Sequence, residues 1–136
     1  MVFLADLIRA MEVPVECDFI ALSSYGNSSR SSGIVKLTAD LSVSIVDREV
    51  LIVEDIVDTG RTLAYLRRNL ETRQPRSVRV CTLLDKAVRR EVPVRLDHVG
   101  FTIPDEFVVG YGLDYAGLYR NLPYLAALDL EEPPDS

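Results

Sequence analysis

Residues 50–63 read Val-Leu-Ile-Val-Glu-Asp-Ile-Val-Asp-Thr-Gly-Arg-Thr-Leu. An apolar run rich in β-branched residues meets two carboxylates, Glu54 and Asp55. A third acid, Asp58, precedes a Thr-Gly turn. From Arg61 to Leu70 the pattern predicts a helix. A buried parallel strand, a tight loop and a helix, in that order, leave free backbone N–H groups at the helix N-terminus. Hydrogen bonds and the helix dipole stabilise a phosphate there. Thr59 and Thr62 add hydroxyl donors. Three acids would repel a phosphate unless its carrier also brings sugar hydroxyls, which carboxylates accept from, or a divalent cation held through oxygen. Phosphate, polyol and metal together suggest a ribose phosphate. The segment lacks the Gly-x-x-x-x-Gly-Lys-Ser/Thr pattern of a Walker loop, and its single glycine excludes a dinucleotide fingerprint.

The elements that must position these residues follow from periodicity. Phe3, Leu4, Leu7, Ile8 and Met11 recur at helical spacing and predict a first helix with one buried stripe. Val15 to Leu22 is expected as a strand. Ser23 to Gly33 is a polar Gly/Ser-rich segment, expected to be a mobile hairpin loop whose second arm is Ile34 to Thr38. Val43 to Asp47 is expected as a short edge segment and Glu49 to Glu54 as the central strand. Ser77 to Leu84 is a further buried strand. Asp97 to Phe101 and Phe107 to Tyr111 are short strands separated by Pro104. Strands alternating with helices imply an α/β fold: a mainly parallel, twisted sheet flanked by helices on both faces, binding ligands beyond the carboxyl ends of its strands. Residues 1–130 are expected as one domain and 131–136 (Glu-Glu-Pro-Pro-Asp-Ser) as a disordered tail.

Composition narrows the partners. The 136 residues hold 15 Lys+Arg against 21 Asp+Glu, a formal net charge of −6. That argues against non-specific nucleic-acid binding, which needs a basic surface. An anionic substrate must instead be captured locally, with Arg61, Lys86 and Arg120 as candidates. Cys17 and Cys81 both lie in apolar, strand-like runs and are expected as buried free thiols in a reducing cytoplasm. His98 is the only histidine, so neither a zinc site nor a His-dependent triad can be assembled. No apolar stretch is long enough to cross a membrane. Asp6 inside the first apolar stretch, with no basic start before it, argues against a signal peptide.

Residues 50–63 are similar to the phosphoribosyl-pyrophosphate motif of the type I phosphoribosyltransferases. Leu-Leu-Asp-Lys (83–86), Val-Gly-Phe-Thr-Ile-Pro-Asp (99–105), Phe-Val-Val-Gly-Tyr-Gly-Leu-Asp-Tyr (107–115) and Tyr-Arg-Asn-Leu-Pro-Tyr (119–124) resemble the hypoxanthine-guanine branch, in its order. The resemblance covers nearly the whole chain. It implies a purine-salvage transferase that moves the 5-phosphoribosyl group from phosphoribosyl pyrophosphate to N9 of hypoxanthine or guanine, with Mg²⁺ as cofactor and a homodimer or homotetramer as the assembly.

The resemblance also implies roles. Glu54 and Asp55 contact the ribose hydroxyls, directly or through Mg²⁺. Asp58 is the general base that takes the proton from N7 as N9 attacks C1 of the ribose; as a residue it could equally be a helix N-cap. Thr59, Gly60, Arg61 and Thr62 cradle the 5′-phosphate, Arg61 more through its N–H than its side chain. Lys86 donates to O6 of the purine, although a lone lysine at a strand end is usually solvated. Phe107 stacks on the purine or, on the bland reading, packs in the core. Val108 offers backbone groups to the base edge. Asp114, beside the base, helps hold a second Mg²⁺. Arg120 meets the pyrophosphate or is a surface charge. Ser24 and Tyr25 open a loop that closes over the site or is only a flexible hairpin tip.

One departure stands out. Family members carry a helix and a pyrophosphate-binding strand and loop before the point where this resemblance begins, and nothing here matches them. The sheet is expected to lack that strand, with unpaired backbone groups as the consequence. Two other readings stay open: a non-enzymatic sensor of phosphoribosyl pyrophosphate, and an inactive shortened chain.

Overall fold

A computed structural model of the protein describes residues 1–24 and 35–129. The expected mobile loop, apart from Ser23 and Ser24, and the expected tail lie outside them. The architecture is α/β. The core strands β3 (Glu49–Val57), β4 (Ser77–Asp85) and β5 (His98–Thr102) form a parallel sheet in that order. Helix α1 (Val2–Ala10) precedes them, and α2 (Arg61–Glu71) connects β3 to β4. A hairpin pairs β1 (Ala21–Ser24) with β2 (Val35–Ala39), and a two-residue ladder pairs β6 (Val108–Val109) with β7 (Ala126–Ala127).

The core forms where two periodicities meet. Leu63, Leu66 and Leu70 lie three and four residues apart, so they share one face of α2. All three are buried, against Ile52, Val57 and Val80 of the sheet. Parallel register sets Val50 beside Val78 and Ile52 beside Val80. Burial of three leucines at about 2 kcal/mol each fixes α2, and with it the turn that opens it. The five apolar positions of α1 are half-buried, and none is fully buried.

Several expectations are corrected. β3 does not stop at its acids; it runs through Glu54 and Asp55 to Val57. It is not central either. Among the described residues β3 pairs with β4 alone, and β4 is the middle strand. Of the stretch expected as a strand at 15–22, only Ala21 and Leu22 lie in one, at the start of β1. Nor is Val43 to Asp47 a strand. The carboxylate of Asp18 accepts the N–H groups of Ser42 and Val43 at 2.7 and 3.2 Å, so side-chain bonds replace a ladder there. Cys81 is buried as expected, but Cys17 is exposed, because its segment has no neighbouring strand to cover it. β7 had no expectation; two alanines carry no strand signal.

Candidate active site

The site is built at the carboxyl ends of β3 and β4. β3 delivers Glu54 and Asp55 as successive strand residues, so the pleat turns their side chains to opposite faces. Both nevertheless border a hollow of about 450 Å³ along the strand's other edge, together with Ile20, Leu66 and Leu70. Burial, and then the neighbouring charge of Asp55, push the Glu54 carboxyl up from 4.5 to about 7. The amino group of Met1 stands 3.5 Å from Asp55 Oδ2.

After Val57 the chain turns. Gly60 occupies the N-cap position of α2 with φ +84°, a left-handed conformation that side-chain-bearing residues resist. A Cβ placed there would come 2.7 Å from the Val92 carbonyl oxygen. Both facts demand glycine. Because Gly60 takes the cap, Asp58 does not, and the N-cap alternative for that acid is overturned. The Arg61 N–H donates to Thr59 Oγ1 at 3.4 Å, and the cap residue Gly60 offers no side chain of its own. Asp58 Oδ1 is buried and lies 3.0 Å from Arg89 Nε, an ion pair by distance whose alignment is too poor for a hydrogen bond. Arg89 also reaches Asp105, at 3.7 Å.

Lys86 follows the last residue of β4, and its N–H donates to the Val57 carbonyl at 2.9 Å. The residue is only 8 % exposed. No hydrogen bond or ion pair to the ammonium is found among the described residues. So a lysine that is largely buried as a residue, and whose ammonium has no protein partner among the described residues, adjoins the acid-rich turn. Asp85 is paired with Arg90.

The remaining candidates sit on the segment after β5. Phe107 is 39 % exposed and meets Tyr115 edge to face, ring centroids 5.5 Å apart. It is not a core residue. Tight turns follow, with positive φ at Gly110, Tyr111 and Gly112. They bring Asp114 and Arg120 together at 3.0 Å, and Arg120 also donates to the Gly112 carbonyl at 2.7 Å. These turns dock on α1: the Tyr111 hydroxyl donates to Asp6, and Gly112 lies against Val2. The N-terminus of α1 in turn adjoins Asp55. Ser24 ends β1, and Tyr25 lies outside the described residues.

Residues 1–116 match the phosphoribosyl transferase domain family. The chain belongs to that family. The chain is 54 % identical to the hypoxanthine-guanine phosphoribosyltransferase of Mycobacterium avium over 95 % of its own length and 64 % of the relative's. It is 53 % identical to the hypoxanthine phosphoribosyltransferase of Salmonella typhimurium, over 94 % of its length and 72 % of the relative's. A crystal structure of a hypoxanthine phosphoribosyltransferase from Staphylococcus aureus superposes with a TM-score of 0.90 at 46 % identity, covering 94 % of this chain and 70 % of that one. The chain thus spans about two thirds of the length of these relatives, and its fold is the type I phosphoribosyltransferase fold.

Not every candidate of the phosphoribosyltransferase site borders one cavity. The hollow includes Glu54 and Asp55 but not residues 58–62, Lys86 or Phe107. Sequence reasoning also assigned no role to Asp85, Arg89, Arg90, Glu91 and Asp105, which form an ionic network around the Asp58 turn. The signal for it was the run Arg89-Arg90-Glu91, three residues after Lys86.

The raised Glu54 carboxyl has a measurable consequence. The folded state binds its proton more tightly than the unfolded chain does. Its contribution to stability is therefore complete below pH 4.5 and is lost as the pH rises through about 7. With divalent cations chelated, Glu54→Gln is expected to match the wild type in stability near pH 5 and to exceed it by about 2 kcal/mol at pH 8. Urea melts of both proteins at the two pH values check this; a difference that does not grow with pH refutes it.

Proposed function

We propose that the chain carries a 5-phosphoribosyltransferase site of purine salvage, acting in the cytoplasm on hypoxanthine or guanine. The bond from C1 of the ribose to pyrophosphate breaks, the bond from C1 to N9 forms, and the proton on N7 passes to Asp58. The observation that carries this reading is Lys86: a residue only 8 % exposed, its ammonium without a protein partner among the described residues, one backbone hydrogen bond away from the strand that bears Glu54 and Asp55.

The other residues fit around that transfer. The amides of Gly60, Arg61 and Thr62, with the Thr59 hydroxyl, receive the 5′-phosphate at the start of α2. Glu54 and Asp55 accept from the ribose hydroxyls. Phe107, half-exposed on the segment after β5, offers its ring face to the base, and the Val108 backbone its edge. Arg120, steered by Asp114, faces the pyrophosphate. Ser24 and Tyr25 begin the covering loop.

The acids suit Mg²⁺. Among the described residues no three His, Cys, Asp or Glu side chains converge as a cage. Mg²⁺ does not require one; it usually takes one or two carboxylates and completes its shell with water and substrate oxygens. Glu54 and Asp55, which both border the hollow, would hold one ion and Asp114 a second; the Glu54 carboxyl is raised first by burial and then by the charge of Asp55, and a cation would relieve that second cause. When bound, Mg²⁺ neutralises the charge of the leaving pyrophosphate.

The assembly proposed is a homodimer or homotetramer. Among the described residues no helix is long and apolar enough to cross a membrane.

The test is direct. The chain, incubated with hypoxanthine, phosphoribosyl pyrophosphate and Mg²⁺, is expected to yield inosine monophosphate and pyrophosphate in equal amounts. Absence of both products refutes the enzymatic reading of this chain.

A further inference from the structure

The segment after β4 grips the turn that opens α2. The N–H groups of Glu91 and Val92 both donate to the Thr59 carbonyl, at 2.9 and 3.1 Å. Glu91 pairs with Arg61 at 2.5 Å. Arg90 adds a bridge of a different kind. Its Nε donates to the Asp58 carbonyl at 3.1 Å, and its other arm pairs with the Asp85 carboxylate. Its Cδ lies against Gly60, 2.9 Å from where a Cβ would stand. The side chains of Arg90 and Asp85 are 18 % and 13 % exposed, against 48 % for neighbouring Arg89.

We infer that Arg90 is a positioning residue for the phosphate turn. The inference rests on the reading above that this turn receives the 5′-phosphate. Arg90 takes no part in the chemistry; it reaches the turn from behind. Asp85 anchors one arm of the guanidinium at the end of β4. The Nε then ties the Asp58 carbonyl to that anchor, and the stem blocks Gly60 from moving toward Val92. The turn is thereby held with Gly60 left-handed and the amides of residues 60–62 presented together. Free glycine-containing turns sample many conformations, so ordering this one in advance removes an entropy cost from binding. Arginine is required, because a planar fork with fixed donors can meet a carbonyl and a carboxylate at once, whereas the ammonium of lysine is a point charge.

Arg90→Gln and Arg90→Lys separate this role from charge and from fold. Two readouts are taken for each: affinity for ribose 5-phosphate by calorimetry, and amide hydrogen exchange at Ala64, Glu91 and Val92, whose N–H groups donate to the Gly60 and Thr59 carbonyls of the turn, compared with Leu66 and Leu70 farther along α2. Both variants are expected to bind ribose 5-phosphate at least tenfold more weakly. Exchange should quicken tenfold or more at Ala64, Glu91 and Val92 and stay unchanged at Leu66 and Leu70. Should the glutamine variant fail to fold, the lysine variant keeps the charge beside Asp85 and decides alone. Wild-type affinity together with wild-type exchange in the lysine variant overturns the proposal, as does faster exchange spread evenly along α2. If the wild-type chain binds no ribose 5-phosphate, the phosphoribosyl reading is what has failed, and the exchange rates alone then decide whether Arg90 orders the turn.

Discussion

Adenine is expected to be converted at least about 10⁴-fold less efficiently than hypoxanthine. The reason lies in the donors of Lys86. An ammonium offers three N–H donors and no acceptor. The 6-oxo group of hypoxanthine or guanine accepts from it; the 6-amino group of adenine cannot, and its own donors would oppose those of the lysine. Lys86 is 8 % exposed as a residue, and a base seated against its ammonium would exclude the water that still reaches it. An unsatisfied buried charged donor costs more than the ordinary 1–3 kcal/mol of a neutral one. Lys86→Met keeps the apolar stem and deletes the charge. The variant is expected to lose about 10- to 100-fold in kcat/KM for hypoxanthine, the worth of one charge-assisted hydrogen bond, while adenine loses nothing. Competition assays with both bases, wild type against variant, measure the gap. Equal loss for the two bases would show that Lys86 does not face the sixth position of the ring.

The strand, turn and helix from Glu49 to Glu71 were legible because each has a local cause. A continuous apolar run marks a strand covered on both faces, and Leu63, Leu66 and Leu70 mark the inner face of a helix. The glycine between them announced the turn. What escaped was what depends on distant partners. Glu54 and Asp55 read as the end of a strand because carboxylates rarely sit inside one. The ladder continues through them, because Thr82, Leu84 and Asp85 of β4 supply the pairing. Val15 to Ile20 has strand composition and no ladder, because its neighbours there are the N–H groups satisfied by Asp18. The Arg90 bridge joins residues 5 and 32 positions apart, and no periodicity reports such a pair. The segment proposed to meet the purine was legible only as motifs. The edge-to-face contact of Phe107 with Tyr115, and the docking of the 110–120 turns on α1, are tertiary facts.

Asp58→Asn is expected to lower kcat by about 10²- to 10³-fold while leaving the affinity for phosphoribosyl pyrophosphate within about threefold of wild type. Asparagine has the same shape, so the turn keeps its form. It has no basic carboxylate for the N7 proton, a contribution that general-base catalysis puts at 10² to 10⁴. It also removes negative charge from beside the ribosyl centre as positive charge develops there. The structure closes off the most obvious alternative cause of a slow variant. Gly60, not Asp58, caps α2, so the substitution does not loosen the helix, and the melting temperature should hold within about 2 °C. The present surroundings of Asp58 sharpen the expectation. Its buried Oδ1 has an arginine at 3.0 Å but no aligned donor, so the oxygen is not committed to a hydrogen bond that the purine would have to break. Pre-steady-state and binding measurements separate the outcomes. An interaction present in both ground and transition states raises KM and spares kcat; one made only as the proton moves lowers kcat. If Asp58→Asn weakens phosphoribosyl-pyrophosphate binding as much as it slows turnover, Asp58 holds the sugar and the proton from N7 goes elsewhere.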